Sequence, residues 1–377
     1  MRVGVLGGGP GGLYFSALWK SRHPADEVRL FEQNPAGATW GFGVVFSDRA
    51  LEFLREDDAD TVDLIAPRME TWRDITVVHR GKAIAIDGVG FSAIGRLELL
   101  RLLQQRARTA GVTLAFDTTV GSLDDLGDCD LIVAADGVNS LLRRTFESEF
   151  RPSLTYLEGK FAWYGTTKRF ETLTQTFVEN ELGTFNAHHY RYAPDMSTFI
   201  VECDLATWMR AGLDRATEDE SRRICEQVFA ATLGGHPLIS NRSIWRSFPW
   251  VWNERWSVRN VVLIGDALRT AHYSIGSGTR LALEDALALT KALEAGSCDL
   301  PAALARYEAT RRPVVEKLVA ASKMSAAWYE RFPDHMQLAP ADLAMSYIRR
   351  SGRVDDQRLR TMAPKFMALY DAGRGTP

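Results

Sequence analysis

The sequence predicts an α/β protein in which a parallel sheet is interrupted by a second, mostly antiparallel module and followed by a helical C-terminus. Three observations lead to this fold class. The chain begins with a strand, a glycine turn and a helix; residues 156–248 are rich in aromatic and β-branched residues; and from residue 301 the apolar spacing is mainly helical. The spacing of apolar residues along the chain distinguishes buried parallel strands, antiparallel strands and amphipathic helices.

Length, composition and charge limit the class of protein. The 377 residues, 46% of them hydrophobic and 25% charged, are typical of a soluble globular protein with a sizeable core. A formal net charge of -3 provides no basic field for nucleic acid, and no apolar run is long enough to span a membrane. The four cysteines lack C-x-x-C spacing, which favours reduced thiols in the cytoplasm over disulfides or a metal site. They are Cys129, Cys203, Cys225 and Cys298.

The first elements follow the order of a βαβ unit. Residues 2–6 form an apolar strand, residues 13–19 have helical spacing, and residues 28–31 form the second strand. Further elements predicted for the same sheet are the helix 97–110, which ends at Gly111, and the strands 112–116, 130–134 and 261–265.

The turn after the first strand reads GGGPGG and fits the pattern G-x-G-x-x-G. Gly7 permits the tight turn, Gly9 allows a phosphate to approach the backbone, and Gly12 allows close helix packing. Glu32, twenty residues beyond Gly12, is placed to accept hydrogen bonds from an adenosine ribose. The motif therefore predicts a dinucleotide at the positive end of the helix, against the alternative of a purely structural turn. The contacts expected here are Gly7, Gly9, Pro10, Gly11, Gly12, Glu32 and Gln33.

Two later motifs decide which dinucleotide is expected. In CDLIVAADGVNSLLR, Asp136 and Gly137 follow a buried strand, and this stretch resembles the DG fingerprint of class A FAD-dependent aromatic monooxygenases. In VVLIGDALRTAHYSIGSGT, Asp266 follows a strand and precedes a glycine-rich turn, which resembles the GD fingerprint of the same family. The resemblance implies that an aspartate holds the ribityl chain, and amides of residues 276–279 can face the flavin edge that becomes negative on reduction. The FAD contacts implied are Asp136, Gly137, Gly265, Asp266, Gly276, Ser277, Gly278 and Thr279.

Two smaller stretches agree with the family. WGFGVVFSDRALEFL resembles the segment that passes over the flavin, and its cofactor contacts are expected at Phe42, Gly43 and Val44. Arg96 resembles the arginine that faces the cofactor phosphates, a role suited to a guanidinium fork. The alternative for Arg96 is a surface charge at a helix N-terminus.

The resemblance covers almost the whole chain and implies a para-hydroxybenzoate hydroxylase-like fold. The predicted domains are a Rossmann-like FAD-binding domain of residues 1–155 and 249–300, an inserted substrate module of residues 156–248, and a C-terminal helical segment of residues 301–377. Within the family, FAWYGTT, MSTFIVEC and AHYSIGSGT resemble the branch of salicyloyl-CoA and 2-aminobenzoyl-CoA 5-hydroxylases, with the violacein-pathway tryptophan hydroxylase as a near relative. Class A enzymes commonly carry histidine where this chain has Arg269.

The resemblance also implies a mechanism. NADH or NADPH reduces FAD, O2 forms a C4a-hydroperoxide, and its distal oxygen is attacked by an electron-rich ring carbon. An ortho amino or hydroxyl group activates the position para to itself, which is C5 of an aryl-CoA substrate. The cofactor carries out the difficult chemistry, so the protein mainly positions the substrate and excludes water. Relatives are often fused to a reductase-like barrel domain, so this chain is expected to be either a free-standing enzyme or one half of something longer. In the first case the expected product is a simple ring-hydroxylated thioester. A homodimer is left open.

Candidate substrate-side residues are His272 and Tyr273, beside the flavin turn, and Tyr164 and His189, in the inserted module. An imidazole or phenol there can hydrogen-bond a ring substituent or a thioester carbonyl. The alternatives are a satisfied strand histidine for His189 and a core aromatic for Tyr164. A late basic cluster is a candidate for coenzyme A phosphates, against the alternative of a solvated face. Its members are Arg349, Arg350, Arg358 and Arg360.

Three competing functions are weighed against aryl-CoA hydroxylation. A flavin halogenase is disfavoured because its W-x-W-x-I-P pattern is missing: Trp250-Val251-Trp252 continues as Asn253-Glu254. Hydroxylation of a free aromatic or indole compound is the main alternative. A flavin-binding protein without turnover is the second.

Overall fold

The computed structural model describes residues 1–47, 52–296 and 299–374. Cys298 and residues 48–51 of the predicted flavin-covering segment lie outside the described residues. The strands are β1 (Arg2–Leu6), β2 (Glu27–Phe31), β3 (Gly43–Ser47), β4 (Glu70–Trp72), β5 (Ile75–His79), β6 (Lys82–Ile86), β7 (Phe91–Gly95), β8 (Thr113–Ala115), β9 (Leu131–Ala134), β10 (Pro152–Thr166), β11 (Leu173–Asn180), β12 (Gly183–Ala193), β13 (Met196–Cys203), β14 (Leu238–Ile239), β15 (Arg246–Asn253), β16 (Ser257–Val258) and β17 (Val261–Leu263). The helices are α1 (Pro10–Arg22), α2 (Glu52–Asp57), α3 (Ala59–Ile65), α4 (Arg96–Ala110), α5 (Leu141–Thr145), α6 (Glu147–Phe150), α7 (Leu205–Arg210), α8 (Glu218–Val228), α9 (Ala230–Leu233), α10 (Gly278–Ala295), α11 (Leu300–Glu330), α12 (Phe332–His335), α13 (Pro340–Arg349), α14 (Asp356–Met362) and α15 (Pro364–Arg374).

A six-stranded sheet with the order β16-β17-β9-β1-β2-β8 forms the first layer. Its strands are parallel except β16, which pairs antiparallel with β17 at the edge. Because parallel strands have their carboxyl ends at one edge, the segments that follow β1, β2, β9 and β17 meet there. The predicted α/β fold class is confirmed.

Helix α1 is the centre of this domain. It is buried from Gly11 to Trp19 on all sides, because it packs against the sheet and against both α4 and α10. A helix that is apolar all round is stable only when it is enclosed in this way. Full burial of side chains such as Leu13 and Phe15 stabilises the fold by about 1.5–3 kcal/mol each.

The second large sheet has eight strands in the order β14-β10-β13-β12-β11-β5-β6, with β15 paired to β10. It differs from the predicted substrate module, because β5 and β6 come from residues assigned to the FAD-binding domain and β10 already begins at Pro152. β5 pairs in parallel with β11, nearly a hundred residues later in the chain. A local pattern shows that 75–86 is a hairpin but not which sheet its edge joins.

The two faces of this sheet have different neighbours. One face packs on α7, α8 and α9 through an apolar cluster that includes Tyr164, Phe185 and Phe199, and we call it the outer face. The opposite, inner face is turned toward the flavin-motif turn and α11; Phe161 of β10, for example, contacts Tyr273 at 4.8 Å between ring centroids. Helix α13 covers β5 and β6. Among the described residues, no helix combines the length and the apolarity needed to cross a membrane.

Candidate functional site

The three sequence motifs meet at the carboxyl edge of the parallel sheet. Gly7 follows β1, Asp136 follows β9, and Asp266 follows β17, while Glu32 ends β2. One glycine from each motif faces open space: a Cβ built on Gly9, Gly137 or Gly278 meets no protein atom within 4 Å. The three motifs therefore border one cleft whose backbone walls are open to a ligand.

The glycines of the first turn have different surroundings: Gly7 and Gly12 are packed against the protein, and Gly9 faces the cleft. Gly7 has a φ of +106°, and a Cβ on Gly12 would lie 2.1 Å from the Gly7 carbonyl oxygen. Gly9 is the N-cap of α1 and supplies no side-chain cap, so the first N–H groups of the helix favour an anion. This geometry fits the roles predicted for Gly7, Gly9 and Gly12.

Glu32 is held in a defined orientation beside this turn. Its Oε2 accepts the Gly8 N–H at 2.7 Å, and its Oε1 accepts the backbone N–H of Asn34 at 2.8 Å and the Asn34 side-chain amide at 2.7 Å. Gln33 beside it is exposed. The carboxylate has further acceptor positions for sugar hydroxyls.

Asp136 carries a buried acceptor without a partner in the described structure. Its Oδ2 accepts the Leu141 N–H at 2.7 Å, whereas its buried Oδ1 accepts no hydrogen bond within the described residues. Burial raises the pKa of this carboxyl, and hydrogen bonds from Ser140 and Leu141 oppose that rise. Buried acceptors of this kind are normally satisfied, so a donor from a bound group fits here.

Asp266 and Arg96 face each other across the cleft. Asp266 is exposed to solvent in the cleft. Desolvation by the surrounding protein raises the pKa of its carboxyl, and the positive charges of Arg269 and Arg96 oppose that rise. Burial lowers the pKa of Arg96, and the charge of Asp266 raises it. Arg96 Nε donates to Thr39 Oγ1 at 3.0 Å, which restrains the guanidinium. The pair offers one anionic and one cationic contact for a sugar-phosphate ligand.

A buried ion network holds the GD turn from behind. Arg269 Nη1 donates to the Gly265 carbonyl oxygen at 2.9 Å, and Arg269 Nη2 donates to Asp285 at 2.6 Å. Asp285 also accepts the Gly265 N–H at 3.0 Å and the Arg311 Nε–H at 3.0 Å. Arg269 therefore ties the turn to α10 and, through Asp285, to α11.

The glycine-rich turn before α10 lies against β3. Gly276 has a φ of +59°, and a Cβ on it would approach Val45 Cγ1 at 3.1 Å. Phe42, Gly43 and Val44 belong to the same segment, with Phe42 against Gly165 and Gly43 against the Tyr192 ring. Residues predicted to contact the flavin from two separate stretches are thus neighbours. Ser277 Oγ donates to the Ile275 carbonyl oxygen, while Gly278 and Thr279 begin the helix.

His272 is buried and neutral. Its Nδ1 accepts the Ser274 N–H at 3.4 Å and contacts Ser274 Oγ at 2.8 Å, so its proton is assigned to Nε2. Burial lowers the pKa of His272 to about 3, with the charges of His188 and Arg350 acting in the same direction. The ring can therefore orient a substrate but cannot hold a second proton near neutral pH.

Two titratable residues that sequence reasoning missed lie next to Tyr273. His188 Nδ1 and Glu202 Oε1 are 3.0 Å apart, and the His188 ring stacks on Tyr273 with 5.6 Å between centroids. Burial raises the pKa of Glu202, whereas hydrogen bonds from His188 and Tyr273 lower it. We call His188, Glu202 and Tyr273 the inner-face cluster. The signal in the sequence was an acidic residue at the end of the apolar run STFIVE.

Two predicted substrate-side residues do not reach this site. Tyr164 lies on the outer face, where its hydroxyl is 3.2 Å from Ser221 Oγ. His189 lies on the same face, with Nε2 3.0 Å from Thr176 Oγ1 and its ring stacked on Phe199. Successive strand residues point to opposite faces, so His188 occupies the position expected of His189.

The late arginines do not form a free basic cluster. Arg349 pairs with Asp356, and Arg360 Nη1 contacts Asp371 at 2.6 Å. Arg350 donates to the Ser274 carbonyl oxygen at 2.7 Å and lies 3.8 Å from the Tyr347 ring centroid. Arg358 donates weakly to the Arg353 carbonyl oxygen. The coenzyme A role considered for these residues is therefore not supported.

The protein combines a Rossmann-like domain, three flavin-type motifs around one cleft, and an antiparallel sheet above them. This combination is that of the FAD-dependent monooxygenases. The family described as FAD binding domain matches residues 1–322, and the chain belongs to this family. It is a flavin-dependent aromatic-ring monooxygenase that binds FAD and uses O2 and NAD(P)H.

Named relatives match nearly the whole chain. Salicyloyl-CoA 5-hydroxylase of a Streptomyces species is 39% identical over 361 residues, which cover 93% of this chain and 70% of that protein. The 3-hydroxy-4-methyl-anthranilyl-[aryl-carrier protein] 5-monooxygenase of Streptosporangium sibiricum is 38% identical over 96% of this chain and 97% of its own length. Protodeoxyviolaceinate monooxygenase of Chromobacterium violaceum is 33% identical over 98% of this chain and 97% of its own.

Solved structures agree with the fold. A mutant of 2-methyl-3-hydroxypyridine-5-carboxylic acid oxygenase superposes with a TM-score of 0.71 at 18% identity, covering 96% of both chains. Pseudomonas aeruginosa PqsL in complex with 2-aminobenzoylacetate gives 0.69 at 20% identity, covering 88% of this chain and 96% of that one. At these identities the likeness concerns the fold alone.

Proposed function

We propose that this monooxygenase hydroxylates an aromatic ring carried as an aryl thioester, at C5 of a substrate such as salicyloyl-CoA or 2-aminobenzoyl-CoA. One observation carries the proposal: two relatives of 39% and 38% identity act, by their names, on different carriers but share the aryl thioester and position 5. That position is para to an ortho hydroxyl or amino group, which makes the ring carbon electron-rich.

The residues around the cleft fit FAD, and we propose them as its binding site. Gly9 and the start of α1 would hold the pyrophosphate, Glu32 the adenosine ribose, and Asp266 the ribityl chain, with Arg96 near the phosphates. The orphan acceptor of Asp136 and the open glycines support this assignment. When bound, FAD takes electrons from NAD(P)H and delivers one oxygen atom of O2 to the ring, the other leaving as water.

The protein contributes orientation and proton transfer. His272 remains neutral, so it serves as a hydrogen-bonding group for the substrate rather than as a base. The His188–Glu202 pair is buried and hydrogen-bonded, so together the two groups can accept a proton from the ring substituent as C5 becomes hydroxylated. Tyr273 links this pair to the flavin turn.

A second candidate is a free aromatic or indole-derived substrate. The 33% identity with protodeoxyviolaceinate monooxygenase over 98% of the chain favours it specifically. A cytoplasmic location and a homodimer stay predictions.

The test is O2-dependent NADPH oxidation by the FAD-loaded enzyme with salicyloyl-CoA, 2-aminobenzoyl-CoA, the two free acids and tryptophan. We expect stimulation by the thioesters alone, with a product one oxygen atom heavier that carries the new hydroxyl at C5. Turnover of a free acid or of tryptophan in place of the thioesters would move the function to the second candidate. Absence of stimulation by every compound would favour a flavin-binding protein without turnover.

A further inference from the structure

Two cavities lie side by side near the C-terminal end of α11. The inner pocket, of about 110 Å³, contains Glu202, His272 and Tyr273, and the outer groove, of about 510 Å³, lies between the β10–β15 pair and α11. Leu157 and Glu330 line both cavities, which therefore meet at these residues. The inner pocket is well below the volume of sites that enclose a drug-sized ligand, so a substrate with a long arm has to extend out of it.

The junction between the cavities is an irregularity in β10. The register of β10 against β15 shifts between Tyr156 and Lys160, and there the N–H groups of Glu158 and Gly159 donate to the Glu330 carboxylate at 2.9 and 3.0 Å. A Cβ on Gly159 would lie 2.6 Å from Glu330 Oε1, so a side chain at this position would displace the carboxylate. The two backbone donors offset the negative charge of Glu330 at the point where the cavities meet.

The outer groove is aromatic on one wall and carries a cation on the other. Helix α11 presents Lys323, Ala326, Ala327 and Glu330, a spacing that places them on one face. The alanines leave the groove open, and Trp250 and Trp252 form the opposite wall together with the hydroxyl-bearing Ser153 and Thr155. Lys323 Nζ lies 5.8 Å from the Trp250 ring centroid.

Lys323 lies beside Trp250, partway along the groove, and Val319, Ser153 and Trp252 line the groove beyond it. Lys323 precedes Glu330 by two helical turns, which corresponds to about 10 Å along the helix axis. The other cation of the groove, Arg331, is paired with Asp334 at 3.1 Å. A ligand that leaves the inner pocket at Glu330 therefore passes Ala327 and Ala326 before it meets an ammonium group.

We propose that the outer groove binds the phosphopantetheine arm of the aryl thioester, with Trp250 and Trp252 contacting the arm and Lys323 its phosphate. The inference rests on the proposed function. The arm combines amides, an apolar branched carbon and a terminal phosphate, and the groove presents hydroxyls, aromatic rings and a cation that can contact these groups. Coenzyme A and a holo-carrier protein share this arm, so the groove would recognise the chemistry common to both.

The experiment compares four salicyloyl thioesters as substrates of the FAD-loaded enzyme: those of coenzyme A, 4′-phosphopantetheine, pantetheine and N-acetylcysteamine. The variants are Lys323→Glu, which reverses the charge, and Ala327→Trp, which fills the groove. Lys317→Glu is the matched control, because Lys317 is an exposed lysine of the same helix that does not line the groove. FAD content, measured by absorbance, verifies that each variant is folded.

Lys323→Glu is expected to raise KM about tenfold for the two phosphate-bearing thioesters, because one charge-assisted contact is lost. KM for the pantetheine thioester should stay unchanged, because that substrate has no phosphate. Ala327→Trp is expected to raise KM for all but the N-acetylcysteamine thioester. A lower wild-type KM for the coenzyme A thioester than for the phosphopantetheine thioester would show that the enzyme also binds the nucleotide and would support free coenzyme A as the carrier; equal values would show that it recognises the arm alone.

Two results would overturn the assignment, and they are distinguishable. If wild type turns over the thioesters but Lys323→Glu raises KM equally for all four or for none, the groove does not bind the phosphate. If wild type turns over no thioester, the proposed function itself falls and the groove assignment falls with it.

Discussion

Arg269 and Asp285 form an ion pair in which both side chains are almost completely buried, 1% and 0% exposed, with 2.6 Å between Nη2 and Oδ2. Asp285 also accepts the N–H of Gly265, the residue before Asp266. The pair thus anchors to α10 the turn that we expect to hold the ribityl chain. A histidine at position 269 could not make both contacts in this way, because only the guanidinium reaches the Gly265 carbonyl oxygen and Asp285 together.

Asp285→Asn is expected to lower the free energy of unfolding by about 3–5 kcal/mol, because Arg269 and Arg311 would lose the charge of their buried partner. Urea denaturation measures this change. Asp128→Asn is the control: Asp128 is 94% exposed and 3.9 Å from Arg2, and its loss should cost less than about 1 kcal/mol. Equal effects of the two substitutions would contradict the structural role of the pair.

Gly9→Ala should weaken FAD binding, whereas Gly12→Ala should destabilise the fold. A Cβ at Gly9 enters open space, so the apoprotein should keep its thermal stability while FAD affinity drops about tenfold or more. A Cβ at Gly12 would lie 2.1 Å from the Gly7 carbonyl oxygen, so the fold itself should be destabilised. Thermal unfolding of apoprotein and FAD titration separate the two effects, and unchanged FAD content in Gly9→Ala would remove Gly9 from the cofactor site.

Glu202→Gln should lower kcat for ring hydroxylation about a hundredfold, because the inner-face cluster would lose its carboxylate as a proton acceptor. NADPH oxidation should continue with less product per NADPH, which product analysis measures. His189→Gln is the matched control, since His189 is adjacent in sequence to His188 but lies on the outer face. Loss of hydroxylation in His189→Gln with retained FAD would show that the face assignment is wrong.

The pH dependence of stability should report on His272. Its pKa is about 3 in the folded protein and near 6.5 when unfolded, so the unfolded chain binds an extra proton between these values. Its contribution is therefore present above about pH 6.5 and is lost as pH falls. At pH 5 wild type should lose about 2 kcal/mol that His272→Gln retains, relative to pH 7. Parallel stability–pH curves for the two proteins would exclude a neutral buried His272.

The cofactor motifs were predictable because each is a short contiguous run. Strand, glycine turn and helix follow one another at residues 2–22, and the geometry of Gly7 and Gly12 depends on atoms a few residues away. The same holds for Asp136 and Asp266, each of which directly follows a buried strand. Local covalent geometry and the parallel sheet together bring these turns to one edge.

The face of a strand was not predictable in the same way. In β10 and β12 both faces carry apolar or aromatic residues, so alternation alone did not show whether His188 or His189 points inward. That choice depends on α7 to α9 covering one face and on α11 and the flavin turn lying against the other.

By itself, the sequence determined the dinucleotide domain, the FAD motifs and the family, because these depend on residues that are neighbours along the chain. Only the tertiary structure decided that β5 joins the substrate sheet, that His188 and Glu202 meet Tyr273, and that α11 and β15 enclose a groove. Those contacts join residues 14 apart in the His188–Glu202 pair and 98 apart in the β5–β11 pair, and their geometry follows from packing and strand register, which no local pattern encodes.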